Sequence, residues 1–141
     1  MFLTETDYDT LILDDDRNLI SQSTDTIRQQ AETMAIDQMS GYLRSKYDAA
    51  ATFAKTSSAR SQVLVMYCMD ITLYHLHASI PGRFVPEVRR IRYEDAILWL
   101  KDVAKGLIDP DLVLKTDPTT GESLTGPSIV FGSEAKQNNS W

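Results

Sequence analysis

The chain has 141 residues, 43% of them hydrophobic and 24% charged, enough for one globular domain with its own core. A net charge of −6 and a pI near 4.8 argue against non-specific nucleic-acid binding through phosphate contacts and point to proteins as partners. No apolar run is long enough to span a bilayer, the N-terminal MFLTETD is acidic where a signal peptide is basic, and the single Cys68 cannot form an internal disulfide; neither a membrane protein nor an exported disulfide scaffold is expected.

Thr4 reads as the N-cap of a short helix over residues 5–13, with Glu5, Asp7 and Asp9 at its positive end and Tyr8, Leu11 and Ile12 on one face. Residues 14–18 (DDDRN) read as an acidic turn. Ser23 or Thr24 then opens a long helix to about Tyr47, whose apolar stripe runs Ile27, Ala31, Met34, Met39, Tyr42, Leu43 and Tyr47. Gly41 inside it costs about 1 kcal/mol relative to alanine; it either lets another backbone approach closely or is simply tolerated. Residues 48–58 are small and polar and read as a loop or a frayed helix end. Residues 60–79 are apolar on most sides, through Val63, Leu64, Met66, Tyr67, Ile71, Leu73, Tyr74 and Leu76, as in a central helix surrounded by neighbours, and Ile80-Pro81-Gly82 breaks it.

The last helix is the most clearly written. Pro86 fits a first turn, where its missing N–H has no intrahelical partner, and Glu87 meets the positive end of the macrodipole. Val88, Ile91, Leu98, Trp99 and Val103 recur at three- and four-residue steps, Ile97, Leu100, Ala104 and Leu107 widen the stripe, Lys101 and Lys105 sit near the negative end, and Gly106 reads as a left-handed cap. The predicted fold is all-α: a small bundle of three long helices plus a short N-terminal helix over residues 1–114, with Tyr42, Leu43, Ile71, Tyr74, Leu98, Trp99 and Val103 in its core. Residues 115–141 read as a flexible C-terminal arm, more than half Thr, Pro, Gly, Ser and Asn, whose apolar cluster is Ile129, Val130 and Phe131. That arm is either a disordered terminus or a strand that adds to a neighbouring subunit by edge pairing.

Few constellations suggest chemistry. Asp14, Asp16 and Asn18 occupy the first, third and fifth places of an EF-hand register, but Leu19 stands where glycine makes the turn and Asp25 where a bidentate Glu is usual, so a solvated acidic turn is expected there. His75 and His77 point to different helix faces, and Cys68, two turns before His75, offers no third ligand. With no nucleophile–base set and no glycine-rich phosphate loop, neither enzyme activity, nor a metal, nor a cofactor is expected. Arg83, Arg89, Arg90 and Arg92 form the one basic concentration, open to three readings: a solvated face with pairs such as Arg90–Glu94, a DNA contact, or an interface against acidic residues of another copy, among them Asp14, Asp15 and Asp16. The candidate interface is therefore Arg89, Arg90 and Arg92 with Asp14, Asp15 and Asp16, together with Ile129, Val130 and Phe131 of the arm.

The pattern Arg-x-Arg-Tyr-Glu-Asp-Ala-x-x-Trp-Leu-x-Asp-x-Ala-x-Gly, read on Arg90, Arg92, Tyr93, Glu94, Asp95, Ala96, Trp99, Leu100, Asp102, Ala104 and Gly106, resembles the last helix of the Mu-like phage head–tail adaptor proteins, small helical structural proteins of tailed phages and prophages. Residues 36–47 resemble that family's first core helix with its Gly-Tyr-Leu-x-x-x-Tyr ending, and residues 69–77 its middle helix with Asp-Ile-x-x-Tyr. The likeness covers roughly residues 3–108 and departs from the family at residues 48–58, where relatives carry a proline-containing linker. The resemblance implies a structural connector subunit that forms a ring under the portal, dodecameric in the virion and monomeric when free. Its partners would be the portal protein and a neck or tail-completion protein, with no membrane and no specific nucleic acid, and its place the virion neck, after assembly in the host cytoplasm. The residues by themselves support only a helical protein with an arm, and the alternative is a non-phage bacterial helical protein-binding module or regulator.

Overall fold

The structure is a computed structural model that describes residues 1–11, 19, 22–81 and 84–123. Among these residues it contains helices α1 (Glu5–Leu11), α2 (Asp25–Leu43), α3 (Ala49–Phe53), α4 (Gln62–Ala78) and α5 (Glu87–Ala104), with a 3-10 turn over Ser57–Ala59 and no strand, so the fold is all-α. Side-chain caps mark where the helices start. Thr4 and Asp7 bond reciprocally at the head of α1, Thr24 Oγ1 accepts the Ile27 N–H at 3.3 Å, Asp48 Oδ1 accepts the Ala51 N–H at 2.9 Å, and Ser61 Oγ accepts the Leu64 N–H at 3.5 Å. Pro86 is the residue before the first turn of α5, and Gly106 closes that helix at φ +81°. The Gly106 N–H reaches the Val103 carbonyl at 3.0 Å and the Leu107 N–H that of Asp102 at 2.9 Å, the two bonds of a Schellman ending.

Helix α4 lies at the centre, packed against α2, α5 and α1, and buries Leu64, Val65, Cys68, Met69, Ile71, Leu73 and Leu76. Ala31, Ala35, Met39 and Leu43 form the facing ridge of α2 at four-residue spacing, with small side chains where the helices approach. The inner face of α5 is Arg89, Tyr93, Ala96, Leu100 and Val103, a regular four-three repeat whose first member is charged.

Several expectations need correction. Helix α2 ends at Leu43, and Tyr47 is buried in the turn beyond it. Residues 48–58 hold α3 because Asp48 supplies a cap that small, polar composition does not reveal. Ile27 and Met34 are exposed while Glu32 is buried. Of the expected core, Leu43, Ile71 and Val103 are buried and Tyr42, Tyr74 and Trp99 are half-buried, but Leu98 is 57% exposed. Gly41 is exposed, and among the described residues nothing stands within 4 Å of where its Cβ would be, so none of their backbone approaches it closely.

Beyond α5 the chain returns to the far end of α2. The Asp48 N–H donates to the Val113 carbonyl at 2.8 Å and the Lys115 N–H to that of Lys46 at 3.1 Å, an antiparallel pairing centred on Tyr47 and Leu114. Asp109 adds to this clasp by accepting from Tyr47 Oη at 2.6 Å and from Lys46 Nζ at 2.9 Å. A small hairpin follows, bridged between Thr116 and Ser123 and turned by Gly121 at φ +75°. The domain boundary expected after Leu114 falls inside these pairings; Ile129, Val130 and Phe131 lie outside the described residues.

Candidate interaction surface

The charged residues of the bundle are arranged mainly to hold it together. Asp70 projects from the apolar run of α4 and accepts from Arg89 Nη1 at 3.0 Å, Arg92 Nε at 2.7 Å and Arg92 Nη2 at 3.3 Å. The Arg89 side chain is 1% exposed and that of Asp70 5%. Positions 89 and 92 are three apart and share a helix face, so both guanidinium groups converge on the one carboxylate where α4 and α5 pack. Arg90 points outward and is bound by Glu94 at 2.8 Å and Glu87 at 3.5 Å. Of the three arginines of the expected basic interface, Arg89 belongs to the interior, Arg92 is directed inward to Asp70, and Arg90 sits in an exposed ion pair. Asp14, Asp15 and Asp16 lie outside the described residues, and Leu19, in the glycine place of the calcium register, is fully buried.

A second charged set straps the N-terminus. Glu32 Oε1 accepts the Leu3 N–H at 2.9 Å, while Arg60 donates to the Phe2 carbonyl at 2.7 Å and to Asp7 Oδ2 at 2.5 Å; between them Phe2 stands edge-on to Phe53 at 5.0 Å. Burial pushes the Glu32 carboxyl above its ordinary value, only partly opposed by bonds from the Leu3 and Phe2 backbone. Burial acts on Asp7 in the same sense, but there the bonds from Arg60 and Thr4 more than offset it and the carboxyl lies below its ordinary value.

The histidines and the cysteine serve packing. His75 meets Gln38 Oε1 at 3.0 Å, Gln38 Nε2 donates to Tyr93 Oη at 2.9 Å, and Tyr93 stacks on Tyr74 with centroids 3.9 Å apart. Burial lowers the pKa of His75, so the ring favours its neutral form. Cys68 is buried and burial pushes its thiol far up, out of the reactive range. Among the described residues, no three His, Cys, Asp or Glu side chains are grouped to hold a metal ion.

What the surface of the bundle offers is an apolar ridge. Val88, Ile91 and Leu98 lie on the outer side of α5 at a three- and then a seven-residue step, away from the buried repeat, and Phe84, which is 90% exposed, stands just before the helix begins. Trp99 and Arg92 separate this ridge from the core through their contacts with Tyr67 and Asp70 of α4. Exposed apolar stripes of this kind are a mark of protein-docking surfaces. Asp70 was open to detection in the sequence, since a lone carboxylate inside an apolar helix needs a cationic partner. Nothing local singled out Glu32 or Arg60, whose partners are backbone groups and a side chain at the other end of the chain.

No curated protein and no solved structure matches this chain. Residues 3–126, from the N-terminal strap through α5 and the closing hairpin, match the family model described as Bacteriophage Mu, Gp36. The chain belongs to the bacteriophage Mu Gp36 family and is a phage protein of that kind.

Proposed function

We propose that this chain is a structural head–tail connector subunit of a tailed phage or prophage. Copies assemble as a ring under the portal and provide the surface on which neck and tail-completion proteins dock. The subunit works in the virion neck, after assembly in the host cytoplasm, and it is neither an enzyme nor the carrier of a cofactor. Family membership over residues 3–126 is the observation that carries this reading. It is supported by the architecture: α2, α4 and α5 form a bundle fixed by buried ion pairs, and the outer ridge of α5 offers apolar side chains to a protein neighbour.

The test is co-expression with the portal protein of the same phage, followed by electron microscopy of the purified portal particles. A ring of added density beneath the portal, absent when this chain is left out, is the expected result. Portal particles that carry no copies of the chain, together with normal tail attachment in a phage deleted for it, would overturn the assignment.

A further inference from the structure

A groove of about 530 Å³ runs between the 3-10 turn, the start of α4, Trp99 and the segment after α5. Its floor is apolar, formed by Val63 (43% exposed), Trp99, Ile108 and Leu112, and Lys55 and Asp111 stand on its rim. We propose that in the free protein this groove is occupied by the Ile129, Val130 and Phe131 segment of the same chain.

The reach is sufficient. The chain is held at Ser123 by its bridge to Thr116, which is four residues past Leu112 on the groove wall. At about 3.3–3.6 Å per extended residue and roughly 5 Å across a bridge, Ser123 lies within some 20 Å of Leu112, and the six residues from Ser123 to Ile129 span a similar length. Pro127 has no N–H to donate to a ladder. The chemistry also fits. Ile129, Val130 and Phe131 are an apolar cluster in a polar, glycine-rich stretch, and Glu134 and Lys136 just behind them complement Lys55 and Asp111. Tethering decides which copy supplies the segment: a short tether sets an effective concentration in roughly the millimolar range, so at micromolar protein a chain fills its own groove before a neighbour's.

The experiment pairs Val63→Cys with Val130→Cys in the full chain, leaving the buried Cys68 in place, with each single variant as control. Mild oxidation of micromolar protein should give a cross-linked monomer as the main product, in a yield unchanged by tenfold dilution. A yield no higher than in the single variants would overturn the proposal, and so would cross-linked dimers that increase with concentration, which would assign the segment to a neighbour's groove. A second measurement uses Trp141→Phe, in which Trp99 is the sole tryptophan. Adding Phe131→Ser should shift its emission to the red and speed its quenching by acrylamide, and an unchanged spectrum and quenching rate would also sink the idea.

Discussion

Replacing Asp70 with alanine removes the one carboxylate on which two arginines converge, and the two do not suffer equally. Arg92 is half-exposed and can turn its guanidinium to water, whereas the Arg89 side chain is 1% exposed and loses this carboxylate in the interior. Breaking a buried pair from one side costs about 3–5 kcal/mol, against the roughly 5–15 kcal/mol that holds a domain of ordinary stability. At about 2–4 °C per kcal/mol for a chain near this size, Tm should fall by roughly 6–20 °C. Urea unfolding followed by far-UV circular dichroism gives the free energy, with Arg90→Ala as the surface control, expected to cost no more than about 0.5 kcal/mol. Asp70→Leu combined with Arg89→Met should recover most of the loss, because apolar side chains of similar size replace buried pairs at little cost. A loss below about 1 kcal/mol in Asp70→Ala, or a double variant no better than the single one, would refute the account of Asp70 as the charge that makes Arg89 tolerable inside.

Trp99 rests against Tyr67 at 5.0 Å but is only half-buried, so Trp99→Ala should cost about 1–3 kcal/mol in the same assay, less than the roughly 3–5 kcal/mol of a fully buried aromatic. Gly41→Ala, in the last turn of α2 and unobstructed, should stabilise by about 0.5–1 kcal/mol, whereas Gly106→Ala at φ +81° should destabilise by a similar amount, and thermal melts of the two should move in opposite directions. Because the folded-state pKa of Glu32 is raised, its contribution is favourable below its ordinary value of 4.5 and is lost as pH rises through the folded value. Glu32→Gln, which keeps an acceptor for the Leu3 N–H, should therefore match or exceed the parent in Tm at pH 8 and lose that advantage at pH 4. Asp7 has the opposite sign: its folded pKa is depressed, so its stabilisation is present above its ordinary value of 3.8 and is lost as pH falls through the folded value; Asp7→Asn should narrow its deficit against the parent in melts taken from pH 6 down to pH 3.

The helices were legible because each carries its own local marks. Thr4 and Thr24 cap, Pro81 and Pro86 interrupt, and Gly106 terminates in the left-handed conformation that its place required. The facing of those helices was harder to read. On α5 the apolar positions fall into two adjacent stripes, and a count of hydrophobic residues merges them, placing Leu98 inside and Arg89 outside when the reverse holds. What decides between them is Asp70, nineteen residues away on another helix, and pattern within one helix carries no information about that partner. Glu32 was hidden for the same reason, since its partner is a backbone N–H twenty-nine residues earlier. The surface is legible in the sequence mainly as charge: the arginines read as an interface, while Val88, Ile91 and Leu98 read as part of the helix's apolar stripe.

The clasp between Tyr47 and the segment around Leu114 bears on how the chain comes off the ribosome. Tyr47 Oη waits for Asp109, 62 residues later, and the backbone groups of Lys46 and Asp48 wait for residues later still. Until those have been made, the end of α2 and the apolar flank of α4 have no finished cover, and a contact of such separation is slow to close even then. A copy that stops short of residue 109 stays open to chaperones and proteases, while one that continues past Lys115 shuts its own last seam. Closure of this part of the bundle thus waits on residues 109–115, and a copy cut short before them lacks the seam.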